Sequence, residues 1–212
     1  MYYLITGGAG SGKSEYAENL ALSLKDDGDR LYYIATMYPY GDEETKKRIE
    51  RHRIMRAGKG FVTIERSSEI SGVLDVIKVH MEETDCTSGG EQDDYYAVKS
   101  DYRSDQLAEN IPDPEYHKLK NSVVLLEDLT NLYANECYQT TGHPHEIVKP
   151  LRELAANVKA LIVVSNELYS GGIRYPEETM EFLRELASIN RDIAKDADKV
   201  LEVVAGIPVV IK

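Results

Sequence analysis

Short apolar runs alternate with longer polar stretches along this chain, and the alternation predicts strands and helices in turn. Residues 2–6 (Tyr-Tyr-Leu-Ile-Thr), 31–35 (Leu-Tyr-Tyr-Ile-Ala) and 61–65 (Phe-Val-Thr-Ile-Glu) are rich in β-formers. Residues 122–126 (Ser-Val-Val-Leu-Leu) and 159–165 (Lys-Ala-Leu-Ile-Val-Val-Ser) are almost continuously apolar. Such runs fit strands buried on both faces, as in the middle of a parallel sheet. Helical spacing starts at Lys13 and returns over 43–56, 68–81, 145–158 and 176–196. Residues 199–204 and 207–211 flank Gly206 as a terminal β-hairpin. Strands alternating with helices predict an α/β fold: a mainly parallel sheet flanked by helices, closed by a C-terminal hairpin.

Residues 82–118 break the pattern. They hold eleven Asp/Glu against three Lys/Arg, with Ser, Gly, Pro and scattered Tyr. A solvated acidic excursion explains that composition better than a binding tail does. The rest of residues 1–212 reads as a single domain. The formal charge of −12 argues against nucleic-acid binding, which needs a basic surface. Cys86 and Cys137 form no CxxC pair and suit a reducing cytoplasm. No apolar stretch approaches the ~18 residues of a membrane span, and the N-terminal apolar run is too short for a signal peptide.

The first strand ends in Gly7-Gly8-Ala9-Gly10-Ser11-Gly12-Lys13-Ser14, which matches GxxxxGK[ST]. Glycines let the backbone turn its N–H groups inward around phosphate oxygens, and the following helix points its positive end at the same spot. Lys13 then reaches the β- and γ-phosphates, and the Ser14 hydroxyl ligates Mg²⁺. The motif lies between a strand and a helix, as that chemistry requires, so a nucleoside triphosphate is the expected ligand. Such a site also needs a carboxylate at the end of a neighbouring strand to hold the metal. The run 122–126 leads into Glu127 and Asp128. Adjacent strand residues point to opposite faces, so one of the pair is expected to face the nucleotide and the other to serve as a cap or loop charge.

Residues 46–56 (Lys-Lys-Arg-Ile-Glu-Arg-His-Arg-Ile-Met-Arg) form the one concentrated basic patch. On a helix, Arg48, His52 and Arg56 share a face. Neighbouring cations disfavour imidazolium, and a neutral imidazole is a nucleophile. Spacing alone favours a solvated helix face that happens to include a histidine.

The motifs taken together resemble a known family. Ile-Thr-Gly-Gly-Ala-Gly-Ser-Gly-Lys-Ser, Tyr33-Ile34-Ala35-Thr36, Arg48-Ile-Glu-Arg-His52-Arg53 and Leu-Leu-Glu127 follow one another in order. So do Asn166-Glu167, Gly171-Gly172-Ile173, Pro176-Glu177, Asn190 and the tail from Val203. This ordered set, spanning nearly the whole chain, is similar to the bifunctional adenosylcobinamide kinase / adenosylcobinamide-phosphate guanylyltransferases, of the RecA-like P-loop NTPase fold. The resemblance implies two reactions in adenosylcobalamin biosynthesis. ATP or GTP phosphorylates adenosylcobinamide, and GMP from GTP is then transferred to that phosphate through a GMP–histidine intermediate. It implies His52 as the guanylylated residue, beside Lys13 of the P-loop as the other catalytic residue, for phosphoryl transfer. The implied nucleotide site comprises residues 7–14, Ala35, Thr36, Met37, Arg53, Ile54, Met55, Arg56, Glu65 and Glu127, with Mg²⁺ on Ser14 and Glu127. Glu65 would contact base or ribose, and Asn166 and Glu167 would stand on the substrate side. A trimer is the implied assembly.

Three features depart from the family pattern. Arg51 stands where a second histidine is common, Asp128 where Cys or a small residue follows the glutamate, and residues 82–118 are longer and more acidic. His80, His117, His143 and His145 match no motif and are expected on the surface. A P-loop kinase without guanylyl transfer, or a nucleotide-switched binding module, are the other functions compatible with the P-loop.

Overall fold

The computed structural model describes residues 1–38, 41–86, 118–139, 142–169 and 171–212. The predicted strands all form: β1 (Tyr2–Gly7), β2 (Arg30–Ala35), β3 (Phe61–Glu65), β4 (Ser122–Glu127), β5 (Ala160–Asn166), β6 (Lys199–Val204) and β7 (Ile207–Val210). They make one seven-stranded sheet in the order β3-β2-β4-β5-β1-β6-β7. Every pairing is parallel except β6–β7, the terminal hairpin. β4 is buried along its whole length and β5 up to Asn166, as their uninterrupted apolar runs require.

The helices are α1 (Lys13–Leu24), α2 (Glu43–Arg56), α3 (Val73–Cys86), α4 (Leu129–Tyr138), α5 (Val148–Asn157) and α6 (Glu177–Asp196). Strand alternation splits the core in two. Tyr3, Ile5, Val123, Leu125, Ile162 and Val164 face α1, which contributes Ala17 and Ala21. Leu4, Val124, Leu126, Leu161 and Val163 face the other layer, where α3 to α6 supply Ile77, Leu132, Leu151 and Leu186. The sheet is therefore covered on both sides, as expected.

α2 is different. Among its described side chains only Arg56 is buried. A helix polar all round draws little from packing. Its local supports are the Asp42 cap, whose carboxylate accepts from the Thr45 N–H at 2.7 Å, and its terminal charges.

α4 has no counterpart among the predicted helices. Its sequence, Leu-Thr-Asn-Leu-Tyr-Ala-Asn-Glu-Cys-Tyr, buries polar as well as apolar residues. Asn135 donates to the carbonyls of Thr36 (2.8 Å) and Ser67 (2.9 Å). Glu136 accepts from the N–H groups of Glu69 (2.6 Å) and His143 (2.7 Å). The polar face knits loops together and masks the helical period.

His80 corrects another expectation. It is buried, with Nδ1 at 3.1 Å from the Tyr32 hydroxyl and the two rings edge-to-face. His143 and His145 are exposed, as expected. His117 lies outside the described residues, as does most of the acidic stretch 82–118. Its first residues extend α3, and Lys118 opens a short 3₁₀ turn (Lys118–Asn121).

Candidate active site

The strand register brings Gly7, Ala35, Glu65, Glu127 and Asn166 to one rim of the sheet, its carboxyl edge. Ligands of open α/β sheets bind there. The glycine-rich loop joins β1 to α1 at this rim. Gly12 has φ 88°, a conformation that favours glycine, and a Cβ on it would stand a tight 3.3 Å from Gly206 Cα. The β6–β7 turn supports the loop from the same side, with Gly206 N–H donating to the Ser11 carbonyl at 2.8 Å. Gly7 is needed for contact: a Cβ there would meet the Val203 carbonyl oxygen at 2.6 Å.

Lys13 is buried and folds back over the loop, its Nζ donating to the Gly8 carbonyl at 3.2 Å. Burial lowers its pKa, while the carboxyl groups of Asp128 and Glu127 oppose that fall. The Ser14 hydroxyl donates to Glu127 Oε1, and the Tyr33 hydroxyl donates to Oε2 at 3.1 Å. Burial pushes the Glu127 carboxyl up to about 7, with the two hydrogen bonds pulling the other way and Asp128 adding to the rise.

Asp128 does not point away from Glu127 as simple strand alternation predicts. β4 stops at Glu127, and Asp128 caps α4, the role expected of one of the pair, its Oδ1 accepting from the Asn131 N–H at 2.6 Å. Its Oδ2 accepts from the Asn166 side chain at 3.1 Å. Both carboxyl groups line one cavity, with Tyr33, Ala35, Met37 and Asn131. The opposite wall is α2: Arg48, Ile49, His52, Arg53 and Arg56, with Glu65 beyond. The enclosed space is about 90 Å³.

His52 is half-buried in that wall. Its pKa is held below the ordinary 6.5, first by burial and then by Arg56, Arg48, Arg51 and Lys13. Both influences favour the neutral imidazole, with burial ahead of the cations. Arg56 lies over the Tyr33 ring, its guanidinium carbon 3.8 Å from the centroid. Arg53 pairs with Glu65 at 2.8 Å.

None of residues 7–14 lines the cavity, which the loop reaches through the Ser14–Glu127 bond, and Thr36 and Ile54 also lie away from it. Thr36 is fully buried, its hydroxyl donating to the Asp128 carbonyl and accepting from the Asp128 N–H, both at 2.8 Å. It ties the end of β2 to the end of β4. Ile54 is 66% exposed and does not line the cavity. The Met55 side chain lies outside the described residues. Conversely, Tyr33, Ile49 and Asn131 line the cavity, though no motif marks them as ligands. Tyr33 shares the face of Ala35 at strand spacing, a usable signal; Asn131 arrives only with α4.

Ser14 and Glu127, two hard oxygen donors in contact, fit a Mg²⁺ ion held chiefly by phosphates. Among the described residues, no three His, Cys, Asp or Glu side chains converge as a protein-only metal cage. No described helix is long and apolar enough to cross a membrane.

The sequence profile of the family described as cobinamide kinase / cobinamide phosphate guanyltransferase matches residues 3–88 and 100–211. The chain belongs to that family. The bifunctional adenosylcobalamin biosynthesis protein CobU of Escherichia coli (strain K12) is 28% identical over 229 residues, covering 100% of both chains. Among solved structures, the flagellar accessory protein FlaH from Methanocaldococcus jannaschii aligns over 100% of this chain and 77% of its own, at 14% identity and a TM-score of 0.45. A protein of Pyrococcus horikoshii OT3 aligns over 100% of this chain and 85% of its own, at 10% identity and a TM-score of 0.43. At those scores neither bears on function. The family match does, because its span takes in the glycine-rich loop, the histidine on α2 and the glutamate ending β4.

Proposed function

We propose that this chain performs both reactions of its family at one nucleotide site, phosphorylating adenosylcobinamide with ATP or GTP and then guanylylating the product with GTP. The supporting observation is that a single cavity joins His52 on α2 to Glu127, the hydrogen-bond partner of the P-loop residue Ser14.

In the first reaction the loop 7–12 and the N-terminus of α1 hold the phosphates, and Lys13 exchanges its bond to the Gly8 carbonyl for the β- and γ-phosphate oxygens. The substrate hydroxyl attacks the γ-phosphorus, the bond to the β-phosphate oxygen breaks, and nucleoside diphosphate leaves. Mg²⁺ on Ser14 and Glu127 would neutralise phosphate charge there. In the second reaction the neutral imidazole of His52 attacks the α-phosphorus of GTP and displaces pyrophosphate. A phosphate oxygen of the cobinamide phosphate then takes GMP from His52, which returns unmodified. Arg48, Arg53 and Arg56 surround the transferring group and stabilise its added charge. Glu65, held by Arg53, stands where base or ribose would lie.

The cavity of about 90 Å³ is below the ~300–1,000 Å³ of sites that enclose a small molecule. A guanosine seated against His52 therefore displaces α2, which little burial opposes. A trimer, implied by the resemblance, is the expected assembly.

The test is turnover by the purified chain with adenosylcobinamide, Mg²⁺ and either triphosphate. Wild type is expected to form adenosylcobinamide phosphate, and Lys13→Ala to lose that activity. Kinase activity retained by Lys13→Ala would refute the role given to the P-loop.

A further inference from the structure

Beyond the nucleotide site, the same rim carries a second and larger cleft. Its volume is about 450 Å³, and it is lined by Leu168, Tyr169, Gly171, Gly172, Ile173 and Tyr175 after β5 and by one face of α6. This volume is within the range of small-molecule sites. Four large apolar side chains are exposed within eight residues: Leu168 (39%), Tyr169 (41%), Ile173 (63%) and Tyr175 (41%). Such a cluster on a surface marks an occupant. The charged residues lining the cleft are Arg184 and Arg191, with no carboxylate among the lining side chains.

The cleft adjoins the P-loop through bonded neighbours. β5 lies beside β1, and Glu167 N–H donates to the Gly7 carbonyl at 2.9 Å. Asn166 donates to Asp128 in the nucleotide cavity. Three residues on, Tyr169 enters the cleft wall, within about 10 Å of Asn166 by chain length alone. Its hydroxyl accepts from Asn190 at 2.8 Å, which fixes its ring before anything binds.

We propose that this cleft seats the corrin macrocycle of the cobinamide substrate; the inference rests on the function proposed above. The chemistry matches. A corrin is a broad, largely apolar ring edged with carboxamides, and its reacting hydroxyl sits on a flexible side arm. Ile173 and the two tyrosines offer apolar and aromatic contact to the ring face. Arg191 donates to carboxamide carbonyls, while Arg184 is held by Glu177 at 2.8 Å. The cleft is open, so a ring too large to be swallowed rests half in it. The side arm then extends along Glu167 and Asn166 toward the γ-phosphate.

Ile173→Asp and Tyr175→Ala alter exposed side chains, so the fold is expected to survive both. In steady-state assays the seat predicts that each raises KM for adenosylcobinamide about tenfold or more. Covalent labelling by GTP, which needs no corrinoid, is expected to be unchanged, and so is the sedimenting mass. Wild-type KM in both variants would overturn the seat alone. A changed mass would overturn it too, by making the cleft a contact between copies. A wild-type chain that transfers no phosphate to adenosylcobinamide would instead sink the underlying function, and the seat with it.

Discussion

Replacing Glu127 by Gln should stabilise the nucleotide-free protein while disabling it. The Glu127 carboxyl is buried at the end of β4, receives hydrogen bonds from Ser14 and Tyr33, and has Asp128 beside it. Burial raises its pKa from an ordinary 4.5 to about 7. A carboxyl that binds its proton more tightly in the fold than in the unfolded chain favours folding below about pH 4.5. That advantage is lost as pH rises through about 7. A gap of about 2.5 pH units, at about 1.4 kcal/mol each, is about 3 kcal/mol by pH 8. Gln keeps the shape and an acceptor for Ser14, and carries no charge. In a chelator-containing buffer at pH 8, Glu127→Gln should therefore melt about 6–12 °C above wild type, with the difference shrinking toward pH 4.5. Magnesium-dependent turnover should fall sharply. A variant equal to or less stable than wild type at pH 8 would refute the account of this carboxyl.

Three further outcomes follow from the same geometry. Thr36→Val removes the hydroxyl that bridges both backbone groups of Asp128, and should cost about 1–3 kcal/mol in urea unfolding; an unchanged midpoint would contradict the bridge. Gly12→Ala should destabilise by about 1–2 kcal/mol and weaken nucleotide binding, whereas Gly8→Ala, whose Cβ meets nothing within 4 Å, should leave the melting temperature nearly unchanged. With Mg²⁺ saturating, covalent labelling by GTP should be flat from about pH 8 to 7 and fall only at lower pH as His52 takes a proton, because burial and the neighbouring cations hold its pKa below the ordinary 6.5. A rate that falls already between pH 8 and 7 would mean an imidazole that is not held neutral.

The strands were legible because Val123–Leu126 and Leu161–Val164 need cover on both faces, and only a parallel sheet between helices gives it. Their spatial order was not, since no local pattern records which strand β1 lies beside. The glycine-rich loop was legible because its chemistry is local. α4 was hidden because Asn135 and Glu136, polar residues on its buried face, bind backbone groups far along the chain. Thr36 and His80 misled for the same reason: their partners, Asp128 and Tyr32, are distant in sequence. By spacing His52 read as part of a solvated helix face, and only the family resemblance made it the candidate nucleophile. The structure adds the burial that lowers its pKa and the cavity it shares with Glu127.

The central claim is that one site serves two chemistries through His52. Incubating the purified chain with α-labelled GTP and Mg²⁺, without corrinoid, tests it most directly. The account predicts a protein adduct that is labile to acid, stable to base and absent from His52→Ala. No adduct in wild type, or one that persists in His52→Ala, would contradict it.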